Sequence, residues 1–392
     1  MTTSINCYVA DTVSGFACTM AACEDNCCRN TGWNIYVDPL TYEKYKNLDS
    51  DLGRHILDCI EKDEKGYKFK EFDHGHCPLL TEDGLCPIHR DLGAEHLCTT
   101  CAGYPRIFES FNGNIEHWLS LSCPDVVRWV LYRKKNIVYI STKLEAFVAP
   151  SPALSGEAEK FHVREFLIEV AQHKNFSLKE KLIFMGIFMR SLSKFPADDA
   201  IKNYRTSLQT NGVLDNLLSG TEAMHPDNRK DFFTMLAKAA SHCATPPKVF
   251  PTGITNAEYY KLMSDFYNNV NDDEAKEYLV DAFDRLIVPY VNANSYVFDN
   301  YLTYSLVSSK FLVNAEDHAE AFTGFAGEFL SMLAFTAGLF HKNETLTENE
   351  MIAGIYLFHR RISHNAEMRK IIAAAFSNDI LSYLLGALGG IK

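Results

Sequence analysis

Cys18-Thr19-Met20-Ala21-Ala22-Cys23-Glu24-Asp25-Asn26-Cys27-Cys28 places four cysteines within eleven residues. A second segment follows: Cys77-Pro78-Leu79-Leu80-Thr81-Glu82-Asp83-Gly84-Leu85-Cys86, then Cys98-x2-Cys101 and Cys123-Pro124. Of the 12 cysteines in the chain, only Cys243 lies beyond Cys123. Burial preference alone would scatter them, so the clustering points to shared chemistry. Four thiolates complete a tetrahedral metal site or an iron–sulfur cluster. Asp83-Gly84 is a turn signal that folds the chain back and brings Cys77 and Cys86 together. Adjacent Cys27 and Cys28 are expected to diverge, one ligating and the other packing. Cys7, Cys59 and Cys243 stand apart and read as core thiols.

Outward from the cysteines the chain changes character near residue 140. Ile137–Ile140 reads as a short strand, as does Asn34–Val37. Ala149-Pro150-Ser151-Pro152-Ala153 reads as a linker, because each proline biases its predecessor away from helix. From about Glu157 the pattern is helical. Ser177-x2-Glu180, Thr255-x2-Glu258 and Thr347-x2-Glu350 are capping boxes. After the last of these, Met351, Ile355, Phe358 and Ile362 recur on one helical face. The expected fold is therefore mainly α: a cysteine-rich metal-binding N-terminal region with short strands (1–148), followed by a helical domain (149–392).

The chain has 392 residues, 47% apolar and 22% charged, in the range of a soluble globular protein. Its net charge of −12 argues against a phosphate-backbone binder and against a polybasic membrane anchor. Partners are thus expected to include no nucleic acid and no membrane. The apolar run Phe329–Phe340 is short for a bilayer span and reads as buried core, as does the run from Ile371. The N-terminus has no apolar core preceded by positive charge, so a disulfide-stapled secreted protein is disfavoured and a cytosolic metal site preferred.

Several motifs are missing. The spacing is not Cys-x3-Cys-x2-Cys, because Asn30 stands where the third cysteine would be. Only Cys98/Cys101 fits a zinc knuckle. G-x-G-x-x-G, the P-loop, H-E-x-x-H and G-x-S-x-G are absent. Weaker candidates lie near the cysteines. His74, His76 and His89 are either ligands or solvated side chains. Arg106, after Tyr104-Pro105, either holds a carboxylate bidentately or makes a structural salt bridge. Asp11, Glu24, Asp25 and Asp38 are either bases or ordinary surface carboxylates.

Across about residues 16–126 the chain resembles the flagellin lysine-N-methylases. The matching residues are Cys18-x4-Cys23-Glu24-Asp25-x-Cys27-Cys28, Gly32-Trp33, Asp38, Thr41-Tyr42 and Tyr45. They continue with Cys77-Pro78-x-Leu80, Asp83-Gly84-Leu85-Cys86-x-Ile88, Leu92-Gly93, Cys101-x2-Tyr104-Pro105-Arg106 and Ser122-Cys123-Pro124. The cysteine pattern is also similar to a broader group of zinc- or iron-chelating domains. The resemblance implies a cytoplasmic bacterial enzyme that uses S-adenosylmethionine to N-methylate lysines of flagellin. It implies a [4Fe–4S] cluster, with zinc as the alternative, and ligands drawn from Cys18, Cys23, Cys27, Cys28, Cys77, Cys86, Cys101 and Cys123. Cys98 is an extra. Tyr104, Arg106 and Asp25 are the catalytic candidates, with Arg106 also a cofactor-binding candidate. The alternative function is a non-catalytic zinc- or iron-binding carrier or sensor.

Overall fold

A computed structural model describes residues 3–25, 27–29, 34–70, 77–146, 150–209, 279–312, 317–362 and 366–376, together with 380, 381, 384, 388, 390 and 391. The fold is mainly α, with two small sheets near the N-terminus.

Strand β1 (Thr3–Ala10) is central in the first sheet. It pairs parallel with β6 (Asn114–Leu119) and antiparallel with β7 (Tyr139–Ala146), and β5 (Arg106–Phe111) lies outside β6. Asn112 and Gly113 both hold positive φ, 50° and 69°, between β5 and β6. That is the geometry of a two-residue hairpin turn whose twist matches the strands it joins. The second sheet is β2 (Tyr36–Val37), β4 (Gly66–Phe69) and β3 (Ile60–Asp63), in the order β2-β4-β3. Two short helices accompany it, each with a side-chain N-cap: α1 (Pro39–Lys46) on Asp38 and α2 (Asp51–Asp58) on Ser50. The expected strands are present, but shorter or shifted: Asn34–Val37 is reduced to two residues, and of Ile137–Ile140 the last two residues open β7.

Further along come α3 (Thr99–Gly103), α4 (Pro124–Leu131), α5 (Glu157–Ala171), α6 (Leu178–Ser191) and α7 (Ala197–Leu208). They are followed by α8 (Val288–Ala293), α9 (Ser295–Ser308), α10 (His318–Leu339), α11 (Glu348–Ile362) and α12 (Ala366–Ala375). The box on α6 is reciprocal: Glu180 N–H donates to Ser177 Oγ at 3.3 Å and Ser177 N–H to Glu180 Oε2 at 2.6 Å. Thr347 and Glu350 repeat it before α11. The box at Thr255 and Glu258 lies outside the described residues. On α11, Met351, Ile355 and Phe358 are buried as their spacing requires. Helix α10 is long and apolar enough to cross a bilayer, but 89% of its apolar window is buried within the protein, so that surface packs against other helices.

Burial divides the molecule into two cores. The larger contains Tyr8, Trp118, Val126 and Val130 from the N-terminal part, together with Phe166, Leu182, Phe298, Leu330 and Phe358 from the helices. The coil at 150–154 is exposed where the linker is expected, yet residues on both sides of it enter this shared core. A buried ion pair, Arg164 of α5 with Glu116 of β6, joins the two sides. The smaller core is formed by Ile35, Val37, Tyr45, Ile56, Cys59, Phe69, Cys77, Leu79, Ile88 and Cys98. The cysteines gather where the two cores meet.

Candidate functional site: a cysteine-lined cavity

A cavity of about 440 Å³ is lined by Cys18, Cys23, Cys27, Cys28, Cys86, Cys101 and Cys123. Cys77, the eighth predicted ligand, is buried in the smaller core; its N–H donates to Cys28 O at 2.8 Å, which joins the two cysteine segments. The Asp83-Gly84 turn is built as expected, with Thr81 N–H to Leu85 O, Gly84 N–H to Thr81 O and positive φ at Gly84. Cys7 and Cys59 are buried, and Cys243 lies outside the described residues.

Short elements begin at the sulfurs. Cys98 stands at the residue before α3 and Cys123 at the residue before α4. Cys86 stands before a wide helical turn, Ile88–Leu92. In consequence, backbone N–H groups two or three residues downstream lie toward the thiols. Met20 donates to Cys18 at 3.3 Å. The N–H groups of Asp25 near Cys23, Leu79 near Cys77, Ile88 and His89 near Cys86, and Asp125 and Val126 near Cys123 pull those thiols down. Such donors favour a sulfur that carries negative charge.

Burial opposes that charge. It pushes the Cys23, Cys77 and Cys123 thiols up to about 12, and raises Cys18 and Cys86 as well. Two thiols move the other way. The thiol of Cys28 hydrogen-bonds Cys27 and, aided by Arg360, brings Cys27 down to about 7. Cys101 does the same for Cys98, whose pKa is lowered. One expectation is corrected here. Cys27 and Cys28 do not diverge, because their sulfurs meet. Cys98, read as an extra, does not line the cavity; it is buried in the smaller core, and its thiol hydrogen-bonds that of Cys101.

The donor set fits a thiolate-bound metal group in type and number: seven sulfurs on one cavity, several already receiving N–H bonds. Among the described residues, no three His, Cys, Asp or Glu side chains stand together as a formed metal site.

The remaining candidates separate. Tyr104 lines the cavity, bonded to Ser122 Oγ at 3.1 Å, and burial raises its hydroxyl well above the usual phenol range, so it is no tyrosinate at neutral pH. Arg106 lines the cavity with one long bond, 3.5 Å, to Phe16 O, and its guanidinium lies 5.8 Å from the Phe16 ring. The structural salt bridge considered for it is not among its contacts in the described residues. Asp25 is ion-paired with Arg360 at 2.5 Å. Glu24 pairs with Arg128, and Asp11 with Arg133. Asp38 caps α1 and also accepts from Thr99; burial resists its charge, but those bonds hold its carboxyl well below the usual range. His89 lines the cavity. His74 and His76 lie outside the described residues. Sequence reading missed Arg360, and no local signal marks it.

The fold and the cavity define a class: a mainly helical protein whose core helices help wall a cysteine-rich site. Residues 164–387, more than half of the chain, match the family described as FliB lysine N-methylase C-terminal domain. The chain belongs to the FliB lysine N-methylase family. It is 24% identical over 376 residues to the lysine-N-methylase of Salmonella typhimurium, covering 91% of this chain and 92% of that protein. The lysine-N-methylase of Salmonella choleraesuis matches to the same extent. The flagellar biosynthetic protein FliU of Salmonella muenchen is 34% identical over 125 residues, 30% of this chain and 73% of that one. No solved structure matches.

Proposed function

We propose that this lysine N-methyltransferase takes its methyl group from S-adenosylmethionine, acts on flagellin, and does so in the cytoplasm at the cysteine cavity, with a thiolate-bound [4Fe–4S] cluster. The enzyme class follows from the family; the donor, substrate, compartment and cluster are our reading. The observation that carries it is the convergence of seven cysteines on one cavity that also exposes a guanidinium, Arg106. The family assignment displaces the alternative of a non-catalytic carrier or sensor.

The ligands of the cluster, at most four, would be drawn from Cys18, Cys23, Cys27, Cys28, Cys86, Cys101 and Cys123. When bound, the cluster would supply a Lewis-acidic site for the amino and carboxylate groups of S-adenosylmethionine. The other steps fall to the chain. Arg106 can take a carboxylate through its planar fork. Phe16, Met20, Leu85 and Leu97 give the cavity apolar wall. A lysine ammonium, with a pKa of roughly 10.4, must lose its proton, here to solvent water, before attack. Apolar surroundings and the positive charge of Arg106 both favour the neutral amine. The amine lone pair then bonds to the methyl carbon, the carbon–sulfur bond breaks, and the thioether leaves with the electron pair. Tyr104, held protonated, can orient the amine by hydrogen bonding but cannot act as its base.

Incubation of anaerobically purified protein with flagellin and S-adenosylmethionine carrying a deuterated methyl group tests this. Mass spectrometry should find the heavy methyl on flagellin lysines. Unmodified flagellin, with methylation of other proteins in the same extract, would overturn the substrate. Methyl groups without the label would overturn the donor.

A further inference from the structure

The acidic pair inside the first cysteine cluster, Glu24-Asp25, faces two arginines. Arg360 lies near the end of α11, 335 residues from Asp25, and its side chain is 14% exposed against 5% for Asp25. It uses every face of its guanidinium. Nη1 donates to Asp25 Oδ2 at 2.5 Å, Nη2 to Asp25 O at 3.3 Å and Nε to Ser122 O at 3.0 Å. The cation sits 4.9 Å from the Tyr356 ring, one turn earlier on α11, and the Tyr356 hydroxyl also bonds Asp25. A second strap runs parallel. Arg128 of α4 donates to Glu24 at 2.6 Å and to Asn349 of α11 at 3.0 Å.

We infer that Arg360 is the positioning residue that fixes the cavity's cysteines to the helical core. Its two anchor points, Asp25 and Ser122, lie between Cys23 and Cys27 and directly before Cys123. One planar side chain therefore sets the spacing between two loops that carry cavity sulfurs, and Arg128 with Glu24 supports the first of them. Glu24 and Asp25 hold the cysteines in place rather than moving protons. A lysine at position 360 could keep the ion pair with Asp25 but could not reach Ser122 O at the same time, because a single ammonium lacks the fork. The inference takes its importance from reading the cavity as the methyl-transfer site, but its test needs no methylation, so either can fail alone.

The test is hydrogen exchange by mass spectrometry on the full-length protein, purified anaerobically, beside helix content by circular dichroism. Arg360→Gln should speed amide exchange about tenfold in residues 18–25 and in 120–123, with 295–308 unchanged. Arg360→Lys should restore slow exchange in 18–25 only. Asp25→Asn, which leaves the helical core untouched, should speed 18–25 and spare 120–123. Three outcomes would each overturn the inference: unchanged exchange at 18–25 in both Arg360→Gln and Asp25→Asn, a uniform rise that includes 295–308, or Arg360→Lys behaving like Arg360→Gln in both segments.

Discussion

The two cores are held by different means. In the larger, Phe166, Phe298, Leu330 and Phe358 from separate helices interlock with no exposed surface, and even the strands β1 and β6 contribute Tyr8 and Trp118. In the smaller, three of the ten buried side chains are thiols: Cys59, Cys77 and Cys98. Its helices α1 and α2 have eight residues each, and its sheet includes a strand of two. A unit of that size buries too little apolar surface to be robust alone and usually needs a metal or a crosslink. Among the described residues no disulfide is formed. Dependence on the proposed cluster should therefore lie in the smaller core, not in the helices.

Removing the bound group should therefore produce the largest contrast. Chelation under reducing, anaerobic conditions should release protection from exchange across 35–69 and 77–101 while most far-ultraviolet helix signal remains. Parallel loss of helix signal would break the contrast and make the molecule one cooperative unit. Next come cavities cut into each core. Leu330→Ala should destabilise the helices by about 3–5 kcal/mol, read from denaturant midpoints. Ile56→Ala, equally buried but in the smaller core, should leave the helix midpoint alone and lower metal content instead. Equal midpoint shifts for the two would contradict the division.

Acid should act on the larger core. Burial, with Arg369 nearby, depresses His359 to about 3, and its ring bonds the Tyr301 hydroxyl at 3.0 Å. The unfolded chain protonates this histidine near 6.5 and the folded chain does not, so stability is lost as pH falls below 6.5 and the loss levels off near the folded value. At pH 5 that amounts to about 2 kcal/mol. His359→Gln should flatten the fall in helix midpoint between pH 7 and 5; an unchanged slope would assign it to other groups. The smallest effect is at a helix end. Ser177→Ala removes one half of the box on α6 and should cost about 1 kcal/mol in the same midpoint, with metal content unaffected.

How far the sequence revealed this depended on the range of each interaction. Capping boxes at Ser177 and Thr347 act within one turn, so they could be read directly. The Asp83-Gly84 turn is local too, and it delivers Cys86 to the cavity. Asn112-Gly113 carries an equally local hairpin signal that a reading centred on the cysteines passed over. That the Cys98 thiol hydrogen-bonds Cys101 is a feature only the fold reveals. Arg360 was invisible for a stronger reason. Nothing near it on α11 distinguishes a guanidinium aimed at a cysteine loop from one aimed at water; that choice is made by packing α11 against α4. The shared core across residue 150 was hidden likewise, since two prolines and an exposed coil say nothing about what the flanking strands and helices bury together.

The central claim is that methyl transfer takes place at the cysteine cavity. Its most direct test is the rate of methyl transfer from S-adenosylmethionine to flagellin lysines by Cys101→Ser, compared with Cys59→Ser. Cys101 lines the cavity, whereas Cys59 is buried in the smaller core with its thiol directed at Pro78 O. Cys101→Ser should lose activity by at least about a hundredfold, the upper part of the range for losing an outer-shell partner and a lower bound for losing a ligand. Cys59→Ser should keep activity near the parent level. Equal activity in Cys101→Ser and the parent protein would contradict the account and move the reaction away from the cavity.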